Sequence, residues 1–201
     1  MAMILASQSP RRRELLGQMG FSFTVRPAKG EELPHPELTP AQLVEELARQ
    51  KALEVSAGAG SDDVVVAADT VVAIDGKVLG KPRDKAHAAQ MLSALSGREH
   101  TVYTGVAVKR GETLLVEHEA TQVRFRPLTE REIDLYIQTG EPMDKAGGYG
   151  IQSCGALLVE GIRGDYFNVV GLPICRLGRM LAQVGEDALA HCAQKCAEKE
   201  R

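Results

Sequence analysis

The sequence predicts a mixed α/β protein in which helices cover a β-sheet. Short apolar segments alternate with helix-like segments through the first half of the 201 residues, a pattern typical of α/β folds. Two longer segments, 99–109 and 113–126, alternate apolar and polar residues and predict a hairpin joined at Arg110-Gly111. Because the hairpin adds antiparallel strands, we expect a mixed sheet rather than an all-parallel one.

The first four elements alternate between strand and helix. Ser9 and Pro10 are typical of the cap and first residue of a helix, and Gly20 ends it. Thr39 and Pro40 open the second helix in the same way. The predicted strands are 2–6 and 21–27, and the predicted helices are 10–19 and 40–57.

The rest of the chain continues the same mixture of elements. Residues 63–76 are β-branched and apolar, and Thr129 with Glu132 forms a capping box. The further predicted elements are one or two strands in 63–76, a helix in 83–97, the hairpin, a helix from Thr129 to about Thr139, a strand in 155–162 and a helix from Pro173. We assign residues 1–185 to a single domain and 186–201 to a charged C-terminal tail.

Composition argues against several classes of function. The formal net charge of −3 lacks the basic excess of a nucleic-acid-binding protein. No apolar run approaches the roughly 18–20 residues of a membrane span. "MAMILAS" lacks the basic segment of a signal peptide. The four cysteines form no CxxC pair, so we interpret them as free thiols of a cytoplasmic protein.

Three arginines at the start of the first helix conflict with local electrostatics. Arg11, Arg12 and Arg13 lie at the positive end of the helix dipole, where cations are unfavourable. They become favourable when a phosphate chain binds there, and Ser7 offers a hydroxyl in the same turn. The alternative is three solvated arginines on one exposed turn.

Two charged residues interrupt apolar surfaces. Lys51 lies between Leu47 and Val44 on the apolar stripe of the second helix, so its ammonium must reach solvent, form an ion pair or bind an anion. Asp69 lies inside "VVVAADTVVAI", and a buried carboxylate needs partners. A structural ion pair at a strand end is the alternative to a functional carboxylate.

Two further segments have the chemistry of phosphate binding. Pro82 biases Lys81 toward an extended backbone, so the ammonium projects from a fixed place, although a solvated surface lysine is the plainer interpretation. "DKAGGYGIQ" (144–152) either cradles phosphate through backbone amides or simply turns the chain. Because the histidines show no zinc spacing, we expect a hard divalent cation such as Mg²⁺ or Mn²⁺.

Seven short motifs occur in order from about Ile4 to about Leu181. They are "LASQSPRRRELL", "GEE" (30–32), "ARQKA" (48–52), "AADTVV" (67–72), "GKPRD" (80–84), "DKAGGYGIQ" (144–152) and "NVVGLP" (168–173). By this set the chain resembles the Maf family of nucleoside triphosphate pyrophosphatases, first known as septum-formation proteins.

The resemblance implies a fold and a reaction. The implied fold is an elongated mixed β-sheet with flanking helices and two lobes around a deep cleft, related to inosine triphosphatases, in a homodimer. The implied reaction hydrolyses the bond between the α and β phosphates and releases a nucleoside monophosphate and pyrophosphate, with Mg²⁺, Mn²⁺ or Co²⁺ as cofactor.

The resemblance also assigns roles residue by residue. Asp69 matches the proton acceptor that activates water, and the residues that match its catalytic partners are Lys51, Lys81 and Glu32. The residues that match substrate-binding positions are Ser7, Arg11, Arg12, Thr70 and Gln152. Glu32 and Asp69 together would hold the metal, and whether Asp69 is base, ligand or both stays open.

Three positions suggest the substrate. The branch of the family that acts on dTTP and UTP is matched at Arg11, Thr70 and Gln152. The 7-methyl-GTP branch instead has SPYR and SDQ where this chain has SPRR and ADT. A glutamine amide both donates and accepts, which suits O4 and N3–H of uracil or thymine. The alternatives are a 7-methyl-GTP pyrophosphatase and a nucleotide-sensing regulator of cell division.

Overall fold

A computed structural model describes residues 2–30 and 35–199, and this part of the chain forms a mixed α/β fold. The strands are β1 (Met3–Leu5), β2 (Phe23–Val25), β3 (Val64–Ile74), β4 (Lys77–Leu79), β5 (Glu99–Arg110), β6 (Thr113–Phe125) and β7 (Val159–Arg163). The α-helices are α1 (Pro10–Gln18), α2 (Pro40–Ser56), α3 (Lys85–Leu95), α4 (Glu130–Gln138), α5 (Tyr166–Val170), α6 (Ile174–Gln183) and α7 (Ala188–Lys199). Short 3-10 helices cover Glu141–Asp144, Ala146–Gly148 and Ser153–Leu158.

The strands form one mixed sheet, as predicted. Their order is β2-β1-β3-β5-β6-β7, and β4 pairs with β3 outside this path. β1 lies parallel to both β2 and β3, with Ile4 opposite Thr24 and Val65. β3–β4 and β6–β7 are antiparallel pairs. The predicted hairpin is also present, because β5 and β6 are neighbours in this order and are joined through Gly111, which has a φ of +52°.

The chain divides into two compact units. The first comprises residues 1–69, 104–119 and 171–201, and the second comprises 70–103 and 120–170. β3, β5 and β6 each contribute residues to both units.

The core of the first unit lies where α2 packs on the sheet. Buried members of this core are Ile4, Ala6, Ala48, Ala52, Val55, Val65, Ala67 and Ala107. A Cβ atom at Gly105 would lie 2.1 Å from the carbonyl oxygen of Val44. Glycine at this position therefore permits the close approach of α2 to β5, and this approach sets the height of α2 above the sheet.

The second unit has its own core, built around Phe125, Leu92, Leu95 and the buried face of α4. Its first hairpin turns at Asp75 and Gly76, whose φ values are +51° and +74°. Positive φ at two successive residues is the geometry of a tight hairpin turn, and Asp-Gly is a favoured sequence for it. This turn adds the short strand β4, which the sequence pattern did not indicate.

One segment differs from the sequence prediction. The strand expected in 155–162 is wrong over its first half, because Ser153–Leu158 is a 3-10 helix and the strand covers Val159–Arg163. The reason is a contact with another segment of the second unit. The carboxylate of Glu141 accepts hydrogen bonds from the amides of Cys154 and Gly155.

The charged C-terminal segment forms a helix packed on the first unit. Within α7, Lys195 Nζ donates to the Gly17 carbonyl at 2.5 Å and Cys192 Sγ to the Met19 carbonyl at 3.2 Å. These bonds join α7 to carbonyl groups at the C-terminal end of α1. The assignment of 1–185 to a single domain stays a prediction. In the ranges 2–30 and 35–199, no helix is long and apolar enough to cross a membrane.

A buried histidine lies in the second unit. His100 is 3% exposed, its Nε2 lies 2.7 Å from the hydroxyl of Tyr149, and its ring packs edge-on against Phe125. Burial lowers the pKa of His100 to about 4 and raises the pKa of Tyr149. Because the charged form of a buried imidazole is unfavourable, His100 is neutral at physiological pH.

His100 makes the folded state sensitive to acid. In the unfolded chain His100 binds a proton as the pH falls below about 6.5, whereas in the folded protein it binds one only near pH 4. The free energy of unfolding therefore falls between these two pH values. Between pH 7 and pH 4.5 we expect the free energy of unfolding of the native protein to fall by roughly 2 kcal/mol more than that of the His100→Gln variant. Urea unfolding at the two pH values measures this difference, and equal falls in the two proteins would contradict it.

Candidate functional site

The loop between β1 and α1 is built from hydroxyl groups and one arginine. Ser9 caps α1, with its Oγ accepting from the Arg12 amide at 3.5 Å, and Ser7 Oγ accepts from the Ser9 amide at 3.2 Å. Ser7 is buried although it is polar. The first candidate substrate-binding residue is therefore fixed by its own turn.

Arg12 bonds to three separate segments of the first unit. Its Nε donates to the carbonyl of Gly171 at 2.8 Å. Its Nη1 donates to the carbonyl of Ala68 at 2.7 Å and to Ser7 Oγ at 3.2 Å. The guanidinium thus bonds at once to the loop after β1, to β3 and to the segment before α6, and a planar group with several donors is suited to this task.

The three arginines of α1 therefore have different environments. Arg12 is half-buried and bonded to backbone carbonyls, Arg11 is half-buried, and Arg13 is exposed. The fold compensates for the unfavourable position of one of these cations at the helix end. The carbonyl oxygens of Ala68 and Gly171 accept hydrogen bonds from Arg12 and so stabilise its positive charge.

Lys51 and Asp69 form an ion pair. Lys51 lies on α2 in the turn between Ala48 and Ala52, both fully buried, and its Nζ donates to Asp69 Oδ1. The side chains are only 20% and 14% exposed. The lysine within an apolar stripe and the aspartate within an apolar strand therefore have a common explanation, since each provides the other with a partner.

Asp69 and Thr70 lie in succession on β3, at the point where its burial changes. Residues 64–68 of the strand are buried, and Asp69 and Thr70 are half-buried. The carbonyl that Arg12 binds belongs to Ala68, directly before Asp69. Within the first unit, Arg12 bonds to Ser7 and Lys51 bonds to Asp69, and the two pairs are linked through Ala68, whose carbonyl Arg12 binds.

Glu32 lies outside the described residues, but the chain that leads to it is held in place. Glu54, on the turn of α2 after Lys51, accepts from the amides of Lys29 at 2.6 Å and Gly30 at 3.0 Å. These two bonds lower the pKa of the Glu54 carboxyl. Helix α2 therefore carries both the lysine of the ion pair and the carboxylate that anchors this loop.

In the second unit, the "GKPRD" and "DKAGGYGIQ" segments are neighbours. The Gly147 amide donates to the Gly80 carbonyl at 3.0 Å, next to exposed Lys81. Gly147 has a φ of +69°, and a Cβ atom there would lie 2.8 Å from Cγ2 of Val72. Glycine is thus required both for the backbone angle and for the approach to β3.

Gln152 lies at the end of this glycine-rich loop. It is half-buried, follows buried Ile151 and precedes Ser153, which has a φ of +56°. Such a φ is uncommon for a residue other than glycine and marks a backbone held by its surroundings. The candidate residues of the second unit are therefore Thr70, Lys81 and Gln152, all with side chains at least partly accessible.

Sequence reasoning missed residues that hold these loops in place. Glu54, Tyr136 and Glu141 bond to the backbone of candidate segments, although none matches a position with an assigned role. The only local signal was that Glu141 begins the same loop as "DKAGGYGIQ". Their partners lie far along the chain or across a turn, where periodicity gives no information.

Few carboxylates within the described residues are placed to hold a metal. No group of three or more histidine, cysteine, aspartate or glutamate side chains in 2–30 and 35–199 is arranged for a cation. Asp69 is the candidate metal ligand that lies in this part of the chain. Mg²⁺ is commonly held by one or two carboxylates together with substrate phosphates, so the donor set fits that mode rather than an all-protein cage.

Comparison with known proteins agrees with the motif set. The model of the family described as Maf-like protein matches residues 2–184. The chain is 55% identical to the dTTP/UTP pyrophosphatase of Moorella thermoacetica over 188 residues, which are 92% of this chain and 96% of the relative. The proteins of the same name from Symbiobacterium thermophilum and Bacillus pumilus are 54% and 52% identical, over 91% of this chain and 94% and 96% of their own lengths.

A solved structure gives a weaker match. The nucleoside-triphosphatase / dITP/XTP pyrophosphatase of Mycobacterium abscessus aligns with a TM-score of 0.47 at 18% identity, over 92% of this chain and 97% of that one.

Arg12→Lys tests the three-segment hydrogen bonding. A lysine ammonium cannot reproduce the spread of Nε and Nη1, so buried carbonyls lose their donors, and we expect the free energy of unfolding to fall by about 1–3 kcal/mol. Arg13→Lys, on the same helical turn but exposed, is the matched control and is expected to change it by less than about 0.5 kcal/mol. Urea unfolding measures both, and equal effects would argue against the assignment.

Proposed function

The chain belongs to the Maf family, and on this premise we propose that it is a nucleoside triphosphate pyrophosphatase that hydrolyses dTTP and UTP to the monophosphate and pyrophosphate. Three relatives more than 50% identical to it bear the name dTTP/UTP pyrophosphatase. The observation that carries the proposal is the ion pair of Asp69 with Lys51, because it provides a polarised, partly buried carboxylate within the motif that the family resemblance marks as catalytic.

Asp69 is proposed as the proton acceptor. Water forms a bond to a phosphorus atom of the α–β bridge, the bridging P–O bond breaks, and the proton of the water passes to the Asp69 carboxylate. Lys51 fixes the orientation of that carboxylate by bonding Oδ1, which leaves Oδ2 for the water. Proximity and orientation of this kind are worth several kcal/mol of a hydrolytic barrier.

The cations of the site are proposed to neutralise the triphosphate. Arg11, Lys51 and Lys81 supply positive charge, as does Arg12 at the N-terminus of α1. Arg12 Nε and Nη1 also donate to the carbonyls of Gly171 and Ala68. Its proposed contribution is therefore both positive charge and the positioning of these two segments. Ser7 is proposed to contact substrate from the same loop.

A divalent cation is proposed as cofactor. Asp69, with Glu32 as its proposed partner, would hold Mg²⁺, Mn²⁺ or Co²⁺ together with phosphate oxygens. The ion would stabilise the negative charge that develops on the phosphate chain. A homodimer in the cytoplasm stays the expected state of the protein.

Pyrophosphate release from a panel of nucleotides tests the reaction and the substrate together. The panel is dTTP, UTP, CTP, 7-methyl-GTP and ITP with Mg²⁺ or Mn²⁺. We expect fast release from dTTP and UTP, none after removal of cations with EDTA, and at least about a hundredfold lower kcat in Asp69→Asn because the general base is lost. Asp62→Asn, an exposed aspartate of the same unit, is the control expected to keep full activity.

The other outcomes of this panel are informative. A preference for 7-methyl-GTP would keep the reaction and reject the base-reading roles of Arg11, Thr70 and Gln152. Absence of pyrophosphate release from every nucleotide would reject the proposed reaction and favour the nucleotide-sensing regulator of cell division. In that case the Asp69→Asn protein should affect cell division as the native protein does.

Gln152→Ala tests recognition of the base. Loss of an amide that both donates and accepts should lower kcat/KM for dTTP and UTP by about five- to thirtyfold, since its hydrogen bonds to the base contribute about 1–2 kcal/mol. Gln138→Ala, an exposed glutamine of α4, is the matched control. Steady-state kinetics of the three proteins measure the effect, and an unchanged kcat/KM in Gln152→Ala would remove Gln152 from base recognition.

A further inference from the structure

The loop that carries Gln152 closes tightly on itself. Gly155 is buried and lies so close to the carbonyl of Gly150 that a Cβ atom on Gly155 would be 1.9 Å from that oxygen. Between these two glycines the chain passes through half-buried Gln152 and through Ser153 at a φ of +56°. The position of the Gln152 side chain is therefore set by what holds residues 150 and 155.

Tyr136 holds the loop before Gln152. It lies on α4 and is 4% exposed, and its hydroxyl oxygen accepts from the Gly150 amide at 3.1 Å. The same hydroxyl donates to Glu141 Oε1 at 3.1 Å. Burial raises the pKa of Tyr136 well above its usual range, so the donating proton stays in place.

Glu141 holds the loop after Gln152. Its Oε2 accepts from the Cys154 amide at 3.2 Å and its Oε1 from the Gly155 amide at 3.3 Å. Hydrogen bonds to a carboxylate are stronger than those between neutral groups. One carboxylate therefore joins α4, through Tyr136, to the backbone directly beyond Gln152.

Lys145 braces Glu141 in turn. Its Nζ donates to the carbonyl of Glu141 and to Asp144 Oδ1, both at 2.7 Å. Its aliphatic chain lies against Gly150, where a Cβ atom would come within 2.7 Å of Lys145 Cε. The bracket formed by Tyr136, Glu141 and Lys145 thus reaches the loop from outside on both sides of Gln152.

We propose that Tyr136 and Glu141 are positioning residues that set the base selectivity of the enzyme by fixing the backbone on both sides of Gln152. The inference rests on the proposed function. An amide that reads a base must present its donor and acceptor in one orientation, and side chains held to within a fraction of an ångström depend on supporting hydrogen bonds. The proposed residues do not touch the reacting atoms, so they affect which nucleotide binds rather than how fast a bound nucleotide reacts.

Glu141→Gln is the main test, with Tyr136→Phe as a second variant that keeps the ring in the core. Both preserve shape but remove a partner of the loop amides. The matched control is Glu132→Gln, a carboxylate of α4 that bonds instead to Arg126 and Thr129. The measurement is the ratio of kcat/KM for dTTP to that for CTP, whose base presents a different donor and acceptor edge.

We expect the dTTP-to-CTP ratio to fall by about tenfold in Glu141→Gln and by a smaller factor in Tyr136→Phe, through a raised KM for dTTP with kcat nearly unchanged. Hydrogen exchange at Gly150, Cys154 and Gly155 should speed up in the same two variants. The ratio should stay at its native value in Glu132→Gln. Faster exchange with an unchanged ratio would overturn the proposal, because the bracket would then serve the fold alone.

Failure of the proposed function would look different. If the native protein releases no pyrophosphate from any nucleotide, the reaction is wrong, and the same comparison is made on the ratio of dissociation constants of dTTP and CTP by calorimetry. A ratio that collapses in Glu141→Gln but not in Glu132→Gln supports the positioning role even then. A native protein that does not distinguish dTTP from CTP, in catalysis or in binding, overturns it.

Discussion

The first unit depends on the hydrogen bonds that the guanidinium of Arg12 donates. The guanidinium binds the carbonyls of Ala68 and Gly171 and the hydroxyl of Ser7, so three segments distant in sequence share one cation. The loss of a donor to a buried carbonyl costs about 1–3 kcal/mol. The position of Ala68 in turn places the next residue, Asp69, opposite Lys51.

Helix α2 acts as the second support of the same region. Gly105 lets it approach β5 closely, and the small side chains of Ala48 and Ala52 keep it there. From that position the helix presents Lys51 to Asp69 and Glu54 to the backbone at Lys29 and Gly30. The packing of α2 on the sheet therefore fixes both the Lys51–Asp69 ion pair and the chain at Lys29 and Gly30.

The second unit holds its candidate residues by a different means. Its glycine-rich loop is shaped by close approaches, of Gly147 to Val72 and of Gly155 to the Gly150 carbonyl, and is then tied by the carboxylate of Glu141. The first unit thus relies on a half-buried cation, Arg12, that binds carbonyls, and the second on a half-buried anion, Glu141, that binds amides. Both devices satisfy backbone groups that a loop leaves without partners.

Much of this protein follows from local chemistry along the chain. Periodicity and caps place α1, α2 and α4, because Ser9, Thr39 and Thr129 satisfy amides within their own first turns. The conflicts at Arg12, Lys51 and Asp69 are also visible in the sequence, since a charge among apolar residues must find a partner. Which partner it finds is settled by distance across the fold: Lys51 meets Asp69, and Arg12 meets carbonyls. For the same reason residues 155–158, which the pattern assigns to a strand, lie in the 3-10 helix Ser153–Leu158. The carboxylate of Glu141 that binds the amides of Cys154 and Gly155 approaches them only when the chain has folded.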